Sequence, residues 1–462
     1  NLFTEEEFSE LASFIESTHS CDSTEAPSDA SEGATEKAES STPPKKSRGR
    51  KVINLDLPRE ERIIDLEDKT CKTCSSEMTA IGEAISEKVD FIPAKIIVIR
   101  TKRIKYTCTC CQTLVAAPMP AEIIDKGIPT DNLLAEIVAK KFIYHLPLYR
   151  QQQLFKTMGV DFSLSTLSDW VAAVGNALAP LAERLKTLLL EQEVIHADET
   201  RLNILDNRRG SSIIHGYIWA YASSIHSNVP IIYYDCTDSR EGKHAQNILK
   251  TFKGKLVVDD YSGYKALFDK YESIIEAGCF THVRRKFAEI VKVAPHPLAQ
   301  YFINESAKLY QIENKLKHVT PEQRKYVRKK FAKPILKKLR KWLIKTLSKT
   351  LPNTLFARAL NHAINRWKSL EIYLNDGNVP IDNNHIERNI RPIALGRKNW
   401  LFAGSFAASQ LMTNIMSLLA TARANGIDPE QWLRETLVVL PTWKYNELDK
   451  LLPIKSIQKT EC

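Results

Sequence analysis

The chain has 462 residues, enough for two to four domains, and a hydrophobic content of 43%, ordinary for a globular protein in water. No run approaches the ~18–20 consecutive apolar residues of a membrane span. The acidic start, Asn1 to Glu7, does not resemble a secretion signal, and the missing initiator Met suggests a fragment or trimmed chain. A net charge of +10 without a membrane signal points to a polyanionic partner, most commonly DNA or RNA.

Residues 1–18 pattern as a short amphipathic helix. Residues 19–51 are rich in Ser, Thr, Glu, Ala and Pro and nearly devoid of large apolar side chains, so they predict a disordered linker with a basic end. Charge is segregated: residues 1–40 carry eleven acidic side chains and one Lys, while the linker closes on Lys45, Lys46, Arg48, Arg50 and Lys51. An Arg48-Gly49-Arg50 tract can lie in an A·T-rich minor groove, or serve only as a flexible basic tail.

Five of the nine cysteines fall within 71–111, and without a secretion signal such clustering indicates metal rather than disulfides. Cys71-Lys72-Thr73-Cys74 and Cys108-Thr109-Cys110-Cys111 each offer a C-x-x-C knuckle, and 88–103 between them alternates as strands do. A zinc-ribbon-like module over 52–118 follows, with a structural Zn²⁺ on Cys71, Cys74, Cys108 and Cys111 and with Cys110 left over. Reduced structural thiols are the alternative.

Residues 119–190 predict a helical region. Helix over 148–158, a turn at Gly159 to Phe162, and helix over 163–174 give the outline of a helix-turn-helix, capped by Ser163 or Ser165. Ser165 and Thr166 then sit at the start of the possible base-reading helix. Any helical hairpin gives a similar outline.

The pattern changes at 191, where 191–289 predicts a sheet-bearing core. Strand candidates are 194–198, 201–205, 217–223 and 229–236, with a turn from Asp206 to Gly210. A helix over 240–252 then allows the next strand, 255–259, to return parallel beside the first. That topology brings Asp198 and Asp259 to adjacent strand ends. Residues 290–375 predict an almost wholly helical insertion, and 376–425 return to the core with Glu387 on a helix closed by Pro392. Residues 426–462 form a C-terminal element. Three carboxylates so placed can hold two Mg²⁺ or Mn²⁺ ions for phosphoryl transfer, although a strand-end Asp also serves as a turn former or helix cap. Asn383, Glu387 and Arg391 share one helix face, so Arg391 could orient Glu387 or hold a phosphate. The stretch 315–345 carries thirteen Lys or Arg and one Glu, interleaved with Leu316, Phe331, Ile335, Leu339 and Trp342. Amphipathic helices with basic outer faces follow, serving either as solvated faces or as a phosphate-contacting surface through Lys329, Lys330, Lys337 and Lys338.

With these blocks in view, the sequence resembles the insertion-sequence-66 family of bacterial transposases from about residue 49 onward. The carrying segments are 50–58; the cysteine region 71–111; His145 to Gln151; Ser165 to Trp170; Ala197 to Thr200; Asp259 to Tyr264; Asn383 to Arg388; Gly396 to Phe402; and 437–452. The resemblance implies the DDE class: an α/β RNase H-like catalytic domain with a mixed sheet and a helical insertion. It also implies Asp198, Asp259 and Glu387 as the metal-binding catalytic triad. Asp260 stands where the family usually has Gly, which leaves it as a rival second ligand. Cys279-Phe280-Thr281-His282 resembles a C-x-x-H element of related transposases, with His282 and Arg284 expected to shape the site. Arg391, Arg397 and Lys398 join the expected DNA contacts.

The expected activity is strand cleavage at transposon ends and strand transfer into target DNA, by a homodimer or higher oligomer on double-stranded DNA. Accessory proteins encoded by the same element are possible partners, with no membrane involved and a cytoplasmic, nucleoid-associated location. A non-catalytic sequence-specific DNA-binding protein derived from a transposase is the rival reading. An RNase H-type nuclease acting on RNA–DNA hybrids is a third.

Overall fold

The computed structural model describes residues 95–107, 110–112, 114–206 and 212–455. Residues 95–97 belong to one compact unit and 98–455 to another, which carries every element that follows. The predicted N-terminal helix, the linker with Arg48 and Arg50, and Cys71, Cys74 and Cys108 lie outside the described residues.

A two-stranded hairpin, β1 (Lys105–Thr107) and β2 (Leu114–Ala116), brackets the second cysteine knuckle. The strand alternation expected over 88–103 is absent from its described part, 95–103, which forms no ladder. Cys110 and Cys111 are exposed in the turn between β1 and β2.

Three helices follow: α1 (Asp131–Phe142), α2 (Leu148–Thr157) and α3 (Leu164–Leu190). Gly159, at φ 88°, takes the left-handed conformation that ends α2. Ser163 caps α3 by accepting from the Thr166 amide at 3.0 Å. Edge-on packing of Phe162 against Phe155 and Trp170 pins the turn. The second helix does not stop near Val174: it runs 27 residues, straight through Pro180. Burial of Val174, Leu178, Leu181, Leu185 and Leu189 along one face outweighs the main-chain bond that proline removes.

The central sheet is a meander of β3 (Val194–Asp206), β4 (Ser212–Ser223) and β5 (Ile232–Thr237), continued by β6 (Gly254–Val258) and β7 (Ile274–Gly278). Its order is β5-β4-β3-β6-β7, antiparallel across β3, β4 and β5 and parallel across β3, β6 and β7. The two strands expected at 194–198 and 201–205 are one, since Glu199 and Thr200 stay in register with Trp219 and Ile218 and neither is a turn former. The crossover to β6 uses α4 (Gly242–Leu249), and α5 (Lys265–Lys270) leads into β7. The parallel return of β6 beside β3 is as the element order predicts.

The helical insertion comprises α6 (Phe280–Val293), α7 (Pro297–Lys315), α8 (Pro321–Val327), a π-helical turn (Arg328–Ala332), α9 (Lys333–Leu347), α10 (Leu355–Asn365) and α11 (Trp367–Leu370). Its core stacks Phe287 on Phe302 at 4.0 Å between centroids and is continuous with Val194, Val257 and Ala277 of the sheet. The basic helices present one apolar face, as expected: Leu336, Leu339 and Leu343 are buried, while Lys329, Lys330, Lys337 and Lys338 are exposed. Two of the basic residues break the pattern. Arg324 and Arg328 are buried, and their guanidinium groups hold main-chain carbonyls of the return segment 373–379. Gly377 lies so close to α8 that a Cβ there would meet the Pro321 carbonyl at 1.9 Å, so only glycine fits.

Three helices close the unit: α12 (Asn384–Trp400), α13 (Phe406–Ala424) and α14 (Pro429–Val439). Pro392 does not close α12 but lies inside it. The buried face of Ile386, Ile390, Ile393 and Gly396 carries the helix past the missing donor. Helix α13 packs on β5 and α3, and its Ser417 and Thr421 hydroxyls accept from the Tyr234 and Ile232 amides of the sheet edge. No helix among the described residues is long and apolar enough to cross a membrane.

Candidate functional site

Parallel pairing of β3 with β6 sets His196 opposite Val257. Continuing that register by two residues sets Asp198 opposite Asp259, on strands about 4.8 Å apart. Period-two alternation puts Val194, His196 and Asp198 on one face of β3, with Val257 and Asp259 on the matching face of β6. Val194 and Val257 anchor that face in the core, and the two carboxylates emerge where it ends. The Asp198 carboxylate accepts from the Glu199 amide at 2.8 Å, and that of Asp259 from the Tyr261 amide at 2.9 Å.

Glu387 arrives on the first turn of α12, and a single buried side chain fixes where that turn sits. Asn383, the residue before the helix, donates from Nδ2 to the Ala197 carbonyl at 2.9 Å. Its Oδ1 accepts from His196 Nδ1 at 2.7 Å, and its backbone amide donates to Cys279 Sγ at 3.2 Å. The start of α12 is thereby clamped to the two residues preceding Asp198. Burial holds His196 neutral, lowering its pKa to about 3, and the neighbouring His385 pushes the same way. Sequence reasoning placed Asn383 on the Glu387 face but not in this clamp, because a contact across 187 positions has no local signature.

Glu387 faces His282 Nε2 at 3.7 Å and Arg285 Nη2 at 3.6 Å. The sequence named Arg284 rather than Arg285, yet His282 and Arg285 are three apart on α6 and so share a face. Arg391, expected to orient Glu387, is exposed, and among the described residues it makes no ion pair with Glu387. Cys279 is buried with its thiol pushed up to about 12 by burial, and its sulfur is occupied by the Asn383 amide.

Asp260, the rival to Asp259, is engaged elsewhere. Its carboxylate lies 3.1 Å from His362 Nδ1 and 3.4 Å from Arg366 Nη1, both on the insertion side. Arg366 also donates to the Asp259 carbonyl at 3.2 Å, tying the second acidic block to the end of α10.

Burial raises the Asp198 carboxyl to about 8, and the negative charges of Glu199, Asp259 and Glu387 act in the same direction. Such crowding of like charge is a cost that a bound cation would remove. Glu387 Oε1, His282 Nδ1 and Arg284 Nε are buried and have no hydrogen-bond partner among the described residues. As placed, no three His, Cys, Asp or Glu side chains among the described residues could hold one metal ion. The donor set nonetheless fits a hard divalent cation, being anionic oxygen with an orphaned acceptor on Glu387.

A stability consequence follows. The unfolded Asp198 carboxyl titrates near the ordinary 3.8 and the folded one near 8, so between those values the folded chain binds the extra proton. Stability of the metal-free protein therefore falls as pH rises through that window. Asp198→Asn removes the effect and should stabilise the chelator-treated protein by about 1–3 kcal/mol near pH 8, after allowance for solvent screening, and by much less near pH 5. Thermal melts at both pH values decide it; an unchanged melting temperature near pH 8 counts against the crowding.

The other expected contacts are dispersed. Ser165 and Thr166 lie at the open N-terminus of α3, their hydroxyls 2.7 and 2.8 Å from that of Ser163. Lys338 pairs with Glu305 at 3.2 Å. Arg397 donates to the Thr200 hydroxyl at 2.9 Å and to the Arg201 carbonyl, and Lys398 is exposed beside it on α12. Sequence reasoning missed Glu199 as a fourth acidic group: its side chain is 1% exposed, with Arg240 Nε donating to it at 2.8 Å.

Comparisons with known proteins find matches over most of the chain. Residues 126–410 match the family described as Transposase IS66 family, residues 68–112 the zinc-finger binding domain of transposase IS66, and residues 417–454 the IS66 C-terminal element. The chain is 33% identical over 410 residues to the uncharacterized protein y4jD of Sinorhizobium fredii, covering 86% of this chain and 80% of that one. It is 32% identical over 423 residues to y4qI of the same organism, covering 89% and 78%. No solved structure matches.

Proposed function

The chain belongs to the IS66 family of transposases, and on that premise we propose that it cuts DNA at the ends of a mobile element and joins them to target DNA by metal-dependent phosphoryl transfer. The observation that carries this reading is the convergence of Asp198, within β3 rather than at the strand end expected for it, and Asp259, just past the end of the parallel β6, with Glu387, delivered beside them by the Asn383 clamp. A mixed sheet whose meander is followed by parallel crossover strands supports an RNase H-like core.

Asp198, Asp259 and Glu387 would hold Mg²⁺ or Mn²⁺, two ions per site. Such ions supply charge neutralisation at the transferred phosphoryl group. The protein's own share is positioning. Asn383 fixes the distance between α12 and β3, Arg366 fixes the main chain at Asp259, and His282 and Arg285 hold the Glu387 carboxylate. Asp260, paired with His362 and Arg366, supports Asp259 and is not itself a ligand. Cys71, Cys74, Cys108 and Cys111 form a closed structural zinc site in the matched zinc-finger segment. The α2–α3 pair acts as a helix-turn-helix, with Ser165 and Thr166 at its reading end, on DNA bound by two or more copies of the chain.

Incubation of the purified chain with plasmid carrying the element's ends, with and without Mg²⁺ or Mn²⁺, tests the reading. Nicks at the ends and joined products are expected only with metal. Binding without cleavage would instead make the chain a DNA-binding protein derived from a transposase.

The exposed lysines of the insertion belong to the same reading. Lys329, Lys330, Lys337 and Lys338 replaced together by Gln should weaken binding to every duplex and flatten its salt dependence, by about 0.9 in slope for each phosphate no longer neutralised. An unchanged slope across a salt series makes that surface a merely solvated helix face. Changes at Ser165 or Thr166 should instead narrow the gap between end and random DNA.

A further inference from the structure

A cleft of about 470 Å³ opens beside the acidic cluster, between the outer face of β3 and β4 and the C-terminal end of α12. Arg201, Asn203, Tyr217, Arg240 and Arg397 line it, with Glu199 at its floor. Arg201 and Tyr217 are cross-strand partners, so guanidinium and ring stand side by side on one wall. Arg240 lies over the Tyr261 ring at 3.9 Å and 6.0 Å from the Tyr217 ring, held there by its ion pair with the buried Glu199. Arg397 reaches across from α12 to the Thr200 hydroxyl and forms the rim. Three guanidinium groups thus face a space whose one carboxylate is already paired. The Glu199 amide donates to Asp198, so the cleft and the acidic cluster are adjacent along one strand.

We propose that this cleft receives one unpaired nucleotide of the DNA strand flanking the cleavage site. The inference rests on the transposase reading above and adds a subsite to it. Positive charge alone would suit any phosphate, but the aromatic wall and the Asn203 amide also suit a base: a ring for its face and, with Asn203 Oδ1 3.2 Å from His215 Nδ1, an Nδ2 donor for its edge. A stacked base pair cannot enter a cleft of this size, whereas a single extruded nucleotide fits the range typical of small-molecule pockets. Arg201 and Arg397 contact the phosphate, and Tyr217 stacks on the base.

Competition binding of the full chain distinguishes the possibilities, using a random-sequence duplex with one unpaired thymidine against the same duplex fully paired. The chain should prefer the unpaired form by about tenfold, the worth of one base stacked on an aromatic ring. Tyr217→Phe should keep the preference, and Tyr217→Ala and Arg201→Ala should each bring the ratio toward one. Arg201 is exposed, so its variant carries the test if Tyr217→Ala fails to fold. Tight binding with no preference, or a preference that survives Arg201→Ala, overturns the nucleotide cleft and leaves the transposase reading standing. A chain that binds neither duplex overturns both.

Discussion

Asp198→Asn, Asp259→Asn and Glu387→Gln should each lower DNA cleavage at least about a thousandfold, equivalent to about 4 kcal/mol less transition-state stabilisation, while DNA binding survives. Each change removes one anionic oxygen without altering the size of the side chain. The expectation for binding is separate, because the exposed basic helices and the α2–α3 pair lie on other elements. Asp260→Asn provides the contrast. Its carboxylate is paired with His362 and Arg366, so its loss should leave substantial cleavage. Single-turnover nicking with Mn²⁺ measures all four variants. An active Asp259→Asn protein beside an inactive Asp260→Asn protein would reverse the choice of second ligand.

Arg328→Ala should cost about 3–5 kcal/mol of stability, the range for breaking a buried ion pair by removing one partner. The Arg328 guanidinium is fully buried, donates to Glu313 at 2.8 and 2.6 Å, and reaches the carbonyls of Tyr373, Asp376 and Val379, each at 2.9 Å. Its loss strands a carboxylate and the Tyr373 and Val379 carbonyls at once, and leaves the Asp376 carbonyl with the Val379 amide at 3.3 Å. The damage should also concentrate, since those carbonyls belong to the segment that leads into Asn383 and Glu387. Denaturant melts give the cost, and hydrogen exchange over 373–383 gives its location. Replacing both partners, Arg328→Met with Glu313→Leu, should recover much of the stability. If the single variant melts like the parent, Arg328 is not the anchor its hydrogen bonds describe.

How much of this was legible from sequence divides along the range of the interactions. The return of β6 beside β3, and hence the meeting of Asp198 with Asp259, follows from counting strands and one crossover helix. A serine cap at 163 or 165 is written in the local residues, and the structure uses Ser163. Periodicity separates the apolar face of α9 from its lysines. What escaped depends on partners far away in the chain. Arg324 and Arg328 look like two more members of a basic run, and only the carbonyls of 373–379 make them interior residues. Pro392 reads as a stop because a local rule has no access to the buried face that carries α12 past it. Arg285 was passed over for its neighbour although helical spacing from His282 selects it.

The clamp at Asn383 also has a consequence in time. Glu387 follows Asp259 by 128 positions, so a ribosome making about 5–20 residues per second releases the third carboxylate on the order of ten seconds after the second. During that interval the nascent chain owns Asp198 and Asp259 and no means of completing their set. Asn383 can bond to His196 and Ala197 only after the helical insertion that lies between them in the chain has been made. On the transposase reading proposed above, the chain would thus remain unarmed until α12 has been made, and a chain truncated anywhere before α12 would be inert as a nuclease.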